Sequence, residues 1–225
     1  MTVLTEEAGK IDMIAKGSRK GASRLGSISE PLSVAVLQVA EGKNRRFVTQ
    51  AQPLRSFPGL RRDYARLTYA LSLAELIATT GPFEQPIDGL FLRAVGWLQA
   101  IEEHPKPLVA LVWAQSRLMT ESGFFPCLSE CVVSGAKLSE AEPFLSPQAG
   151  GYVTHLHSNA FNDRFLTTAE VIYGLDRIAE LDQPPDNLKF AEYCFRALVP
   201  FWRAIAESSL PATEAVANGL YDIAD

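Results

Sequence analysis

Apolar and polar residues alternate with a period of two over the first quarter of the chain, then switch to a helical period after about residue 57. Thr2 to Thr5 is short and β-branched. Lys10 to Lys16 places Ile11, Met13 and Ala15 on one face and Lys10, Asp12 and Lys16 on the other, the pattern of a half-buried strand. Leu32 to Ala40 is an apolar run set off by Pro31 and Gly42. Phe47 to Leu54 alternates Phe47, Thr49 and Ala51 against Val48, Gln50 and Gln52, and Glu41 to Arg46 between these two runs reads as a hairpin loop. Four strands are expected, with a loop rich in Gly, Ser, Lys and Arg from Gly17 to Ser29.

Phe57, Pro58 and Gly59 break this pattern. Leu60, Tyr64, Leu67, Leu71, Ala74 and Ala78 then form one apolar stripe of a helix, widened by Leu73, Leu76 and Ile77. Further helices are expected over Ile87 to Glu103, Pro107 to Glu121, Asn162 to Leu181 and Asp186 to Ser208, the last kinked at Pro200. Between the third and fourth helices, Gly123 to Ser158 is irregular and holds Cys127, Cys131, His155 and His157.

Charge divides the chain near the same place. Residues 1–66 hold twelve Lys and Arg against six Asp and Glu, net +6, and the remainder holds nine against twenty, net −11. A chain that is basic at one end and acidic at the other points to an anion-binding module joined to something else. At 225 residues, 47% hydrophobic and 21% charged, the chain has the composition of a soluble globular protein able to bury a core. No apolar run is long enough to span a membrane, and Glu6, Glu7 and Lys10 stand where a signal peptide needs its apolar stretch. Three cysteines do not make a secreted disulfide framework, so a reducing cytoplasm is the expected compartment.

The chain carries no Gly-rich phosphate loop, no nucleophile elbow, no H-E-x-x-H and no suggestive carboxylate pair, which favours binding over catalysis. The best-defined binding feature is Lys16, Arg19, Lys20 and Arg24, four cations in nine residues spaced by Gly and Ser with no acid among them, with Lys10 on the strand before. Such a segment can follow a phosphate backbone and release its counterions, or can be a solvated loop. Lys43, Arg45 and Arg46 form a second cluster, and Arg55, Arg61 and Arg62 flank the junction. If the strands curl into a small barrel, these cations share its rim. Phe47 and Phe57 are the only aromatics before Tyr64, so backbone contact is favoured over base reading. Trp97, Trp113 and Trp202 read as core or interface anchors, Cys194 as a buried small residue and His104 as a capping or solvated helix-end residue.

The segments TVLTEEAGKIDMIAKGSRKGASRLGS, SFPGLRRDYARLTYALSLAEL, PCLSECVVSG and FLSPQAGGYV stand in one order across residues 2–155 and resemble RecO, the bacterial recombination mediator family. The resemblance implies an α+β protein, with an N-terminal OB-fold β-barrel at residues 1–57 and an α-helical domain at 58–225 that carries an irregular, zinc-finger-like insert at 123–158. It also implies a non-enzymatic role in DNA repair and homologous recombination: binding single- and double-stranded DNA, annealing complementary strands and, with RecR, loading RecA onto strands covered by single-strand-binding protein. By position, the family's basic surface falls on Lys10, Lys16, Arg19, Lys20 and Arg24, with Arg61 and Arg62 in the junction motif. The helical domain's contact with single-strand-binding protein is assigned to no residue, since ESSLPATEA lacks nearby cations.

Two departures from the family follow. Many members hold zinc on four cysteines, and here those positions read Cys131, Ser134, Thr154 and His157, of which the hydroxyls are poor zinc ligands, so no metal is expected. A rearranged set of Cys127, Cys131, His155 and His157 is the alternative, since His-x-His on a strand projects both rings to one face. The second departure is that Met1 to Thr5 aligns with the family's second strand, so the expected barrel lacks its first strand and an upstream start is expected to supply it. Two other functions compete with DNA mediation: an RNA-binding OB-fold module, and a metal hydrolase on His155 and His157.

Overall fold

Alternation along residues 2–14 folds into a hairpin. In the computed structural model, which describes residues 1–16, 26, 30–43, 45–139, 141–206 and 208–220, β1 (Thr2–Thr5) pairs antiparallel with β2 (Gly9–Ile14). Ile11 and Met13 are buried and Asp12 between them is exposed, as the period of two requires. Gly9 closes the turn at φ +68°, and a Cβ there would lie 2.2 Å from the Gln85 carbonyl oxygen, so the bare backbone permits both the turn and the contact.

β3 (Ser33–Glu41) and β4 (Arg46–Ser56) form a long antiparallel ladder, and β4 also runs parallel to β2 through Met13↔Arg46 and Ile14↔Phe47. The sheet order is β1-β2-β4-β3. One detail departs from the sequence pattern. Gln38 pairs with Gln50 and Val39 with Val48, so Thr49 is an extra residue in β4. This bulge changes which side chains share a face: Val48 and Ala51, expected on opposite sides, both pack toward Ile11 and Met13. A second shift leaves Leu54 unmatched beside Pro53, at a point where the missing proline N–H is tolerated.

The helix expected from Leu60 is two helices, α1 (Pro58–Arg62) and α2 (Tyr64–Thr80), broken at Asp63. Asp63 is extended (φ −127°, ψ 117°), and its carboxylate accepts from the Arg66 backbone N–H at 3.1 Å, an N-cap that restarts the helix. The restart shifts the buried face. Tyr64, expected on the apolar stripe, is 84% exposed, whereas Leu73, Leu76 and Ile77 are buried as expected and are joined by Tyr69 and Ala70, which the stripe did not include.

α3 (Leu90–Glu103) and α4 (Pro107–Glu121) follow, α4 with the expected bounds because Pro107 starts it without losing a needed N–H. The irregular stretch contains two short strands and a helical turn, β5 (Phe144–Ser146), β6 (Gly151–Val153) and α5 (His155–Ser158), and β7 (Phe165–Leu166) follows it, all unanticipated, in sheet order β6-β5-β7. β7 occupies what was expected to be the start of a helix, and α6 (Ala169–Ala179) begins only at its Thr168 cap. α7 (Ala191–Ile205) carries Pro200, and α8 (Pro211–Gly219) was not expected. α8 is anchored by α2: the Glu75 carboxylate accepts from the N–H groups of Ala212 and Thr213 and from the Thr213 hydroxyl, at 2.8–3.0 Å. A carboxylate at this helix start satisfies free donors and complements the helix dipole.

One large apolar cluster runs from Phe57 to Leu220 and includes the buried Trp97, Trp113 and Trp202, together with Cys194. A second consists of Ile11, Met13 and Val48 in the sheet. Among the described residues, no helix is long and apolar enough to cross a membrane.

Candidate nucleic-acid interface

The expected cations divide by what they touch. Arg19, Lys20 and Arg24 lie outside the described residues. Lys10, on β2, is spent internally: its ammonium donates to the Ala78 carbonyl and rests 4.2 Å from the centre of the Phe83 ring, while its own carbonyl accepts from the Glu84 N–H at 2.9 Å. Arg46 bonds Glu84 and also meets Glu41 at 3.5 Å, and the bond to Glu84 is the main cause of its raised pKa. Arg61 is held by Glu30 at 3.2 Å and by the Pro31 carbonyl at 2.9 Å. These three cations join the sheet and its flanks to the rest of the protein.

Lys16, Lys43, Arg45 and Arg62 are different. All four are exposed and form no ion pair with any described residue. Lys16 leaves β2 with its ammonium 4.5 Å from the centre of the half-buried Phe47 ring. Lys43 and Arg45 stand in the turn joining β3 to β4, which is closed by the Gly42 N–H donating to the Arg45 carbonyl at 2.8 Å. With Arg46 they line a cleft of about 500 Å³ whose other walls are Asp12, Glu41, Gly42, Phe83 and Glu84. Cations set among a few acids in an open cleft suit a flexible polyanion that displaces weak internal contacts, and the half-exposed Phe83 offers a ring face beside them.

The expectation of one shared rim needs correction. The β3–β4 ladder runs from Ser33↔Ser56 to Glu41↔Arg46, so at the usual strand rise its ends lie roughly 26 Å apart. Lys43 and Arg45 are at one end, and the junction with Arg61 and Arg62 follows the other. Arg55 near that second end stacks on Phe57 at 4.7 Å, donates to Gln99 at 3.0 Å and approaches Glu102 at 3.9 Å. Phe57 is 1% exposed, so it belongs to the core and offers no face for a base.

Phe83 and Glu84 are the residues that sequence reasoning missed. They belong to the connection between α2 and α3, and no local pattern ties them to a hairpin some 40 residues earlier.

The insert brings the family's four zinc-aligned positions together. The Thr154 N–H donates to Cys131 Sγ at 3.4 Å, the thiol contacts Thr154 Oγ1 at 3.8 Å, and Oγ1 is 2.8 Å from His157 Nδ1. Burial pushes the Cys131 thiol up, but hydrogen bonds from the Ser134 side chain and from the Thr154, Ser134 and Val133 backbones prevail and bring its pKa to about 6. This donor set does not fit zinc. Two of the four groups are neutral hydroxyls, His157 Nδ1 is engaged by one of them, and among the described residues no three His, Cys, Asp or Glu side chains gather as metal ligands do. The alternative that uses both histidines assumed a strand, and His155–Ser158 is a helical turn, with the His155 ring packed 5.4 Å from Phe144. His104, by contrast, closes the end of α3 as expected, with Nδ1 accepting from the Lys106 N–H at 3.0 Å.

Residues 1–57 match the family model described as "Recombination protein O N terminal", and residues 61–197 match "Recombination protein O C terminal". The DNA repair protein RecO of Heliobacterium modesticaldum is 39% identical over 166 residues, covering 70% of this chain and 60% of that protein. The one from Gloeobacter violaceus is 32% identical over 191 residues, covering 84% and 73%, and the one from a Synechococcus strain is 38% identical over 165 residues, covering 68% and 54%. The chain therefore spans between about half and three quarters of the length of these relatives. Both halves of the sequence, the sheet with its hairpin cations and the helices with their insert, place the chain in the RecO family.

Proposed function

We propose that this protein acts in DNA repair and recombination as a non-enzymatic mediator that grips single- and double-stranded DNA and promotes annealing of complementary strands. RecR and single-strand-binding protein are its proposed partners, and RecA is served indirectly. The observation that carries the reading is the placement of charge: Lys16, Lys43 and Arg45, exposed and with no ion pair among the described residues, surround the turn end of the sheet, while the net negative charge lies in the helical part. Arg19, Lys20 and Arg24 follow Lys16 directly in sequence and add to the same basic segment.

In this reading residues 1–57 form an OB-type module and residues 58–225 a helical module with a finger-like insert at 123–158. The parallel β2–β4 pairing between antiparallel neighbours supports an OB-type sheet. The sheet's edges, β1 and β3, flank an apolar cavity of about 290 Å³ floored by Ala74, Ile77, Ala94 and Leu98, where such a barrel would close.

Titration of labelled single-stranded DNA across 50–200 mM salt tests the proposal. Binding is expected to weaken steeply with salt, and combined Lys16→Glu, Lys43→Glu and Arg45→Glu changes are expected to lower affinity by roughly 10- to 100-fold at the lower salt. Annealing of complementary strands is expected without ATP. Binding that ignores both salt and these substitutions would sink the reading, and stronger competition by RNA than by DNA of equal length would replace DNA with RNA as the ligand.

A further inference from the structure

The finger-like insert poses a mechanical question. A loop of this length needs something to join its two arms, and the zinc that relatives of this kind use has no fitting donor set here. Residues 127–136 and 150–157 nevertheless meet closely. The Cys127 N–H donates to the Gly150 carbonyl at 2.9 Å, the Tyr152 N–H to the Cys127 carbonyl at 2.8 Å and the Val132 N–H to the Tyr152 carbonyl at 3.0 Å. A Cβ on Gly151 would lie 2.1 Å from the Cys127 oxygen, so this approach is open only to glycine. Leu128, Cys131, Leu145, Tyr152 and Val153 are buried and belong to the large apolar cluster.

We infer that Thr154 takes the place of the metal: its backbone N–H and hydroxyl link Cys131 on one arm to His157 on the other, and the joint is closed by hydrogen bonds and packing alone. Thr154 serves as a node because it presents two polar groups within three atoms of each other. Its N–H reaches Cys131 Sγ and its Oγ1 reaches both Sγ and His157 Nδ1. A hydroxyl cannot hold zinc as a thiolate does, but it can donate and accept at once, which a chain of two unlike partners requires. The inference concerns how the insert is held and is independent of whether the protein binds DNA.

The test uses the full chain purified without chelator from zinc-supplemented cells. Elemental analysis is expected to find zinc far below one per chain, and EDTA is expected to leave Tm unchanged. Thr154→Val, which keeps the shape and removes the hydroxyl, is expected to lower Tm by roughly 3–6 °C and to speed hydrogen exchange at the Val132 and Tyr152 amides. Thr154→Ser keeps the hydroxyl and is expected to stay near the parent on both measures. Stoichiometric zinc, a fall in Tm on chelation, or a Thr154→Val protein with unchanged Tm and exchange would each overturn the inference.

Discussion

The sheet and the helices are built on different scales. The helical part buries a continuous cluster that includes Leu73, Leu76, Ile101, Leu111, Phe195 and Trp202, all essentially inaccessible to solvent, whereas among the described residues the sheet's buried hydrophobic side chains are Ile11, Met13 and Val48. A core of three residues contributes only several kcal/mol of burial, less than the conformational entropy of ordering about forty strand and turn residues. The sheet therefore leans on the helices. Gly9 lies against Gln85, Lys10 against Ala78 and Phe83, Arg46 against Glu84, and Arg55 against Gln99 and Glu102. At the junction the Gly59 N–H donates to Glu102 at 2.7 Å, and Arg66 donates to the carbonyls of Ile101 and Glu102 at the end of α3. The cations that look like ligand-binding groups in the sequence are partly the ones that fasten this small sheet to its larger support.

The sharpest way to break the contrast is to cut into each core. Leu73→Ala is expected to cost about 3–4 kcal/mol and to lower the whole unfolding transition in urea. Val48→Ala is expected to cost about 1–2 kcal/mol and to loosen hydrogen exchange in β2–β4 before the helices. Equal costs, or exchange lost uniformly, would mean that the sheet is not the dependent partner.

Gly9→Ala attacks the joint itself. It forces a side chain into a left-handed turn and onto the Gln85 carbonyl, and is expected to cost about 2–3 kcal/mol, read as a lower Tm with accelerated exchange at the Glu84 amide that bonds Lys10. An unchanged Tm would show that the β1–β2 turn floats free of the helical part.

The smallest effect concerns pH. Cys194 is fully buried in α7, and burial pushes its thiol up to about 12 from an ordinary 9.0. Its folded pKa stands above the unfolded value, so the neutral thiol's contribution is fully present below pH 9 and is lost as pH rises from 9 toward 12. Urea unfolding between pH 8.5 and 10.5 is expected to show stability falling by up to about 1 kcal/mol per pH unit, with a shallower fall in Cys194→Ala. Parallel curves for the two proteins would refute the assignment.

Much of the fold was legible because its signals are local. Alternation around Ile11 and Met13 gave β2, Pro107 gave the start of α4, and the turn before Arg46 gave the β3–β4 hairpin. The break at Asp63 was hidden because the apolar spacing runs across it, and only the cap on Arg66 reveals it. The strands in and just after the insert are two or three residues long, too short for any period to show, and they exist because β5 finds β6 and β7. For the candidate interface, the sequence located the basic segments but could not sort them.

That sorting marks the division between sequence and structure in this protein. Strand and helix periods, the charge step near residue 66 and the Ser, Thr and His at three of the four positions that the resemblance aligns with cysteines are read from residue identities along the chain, and the sequence determined them alone. Which cations face solvent and which are tied down was decided only in three dimensions, because Ala78 and Phe83 meet Lys10, Glu84 meets Arg46, and Gln99 and Glu102 meet Arg55 only when the sheet docks on the helices. An ionic or aromatic contact acts over a few ångströms, so it answers to distance in space and not to distance along the chain.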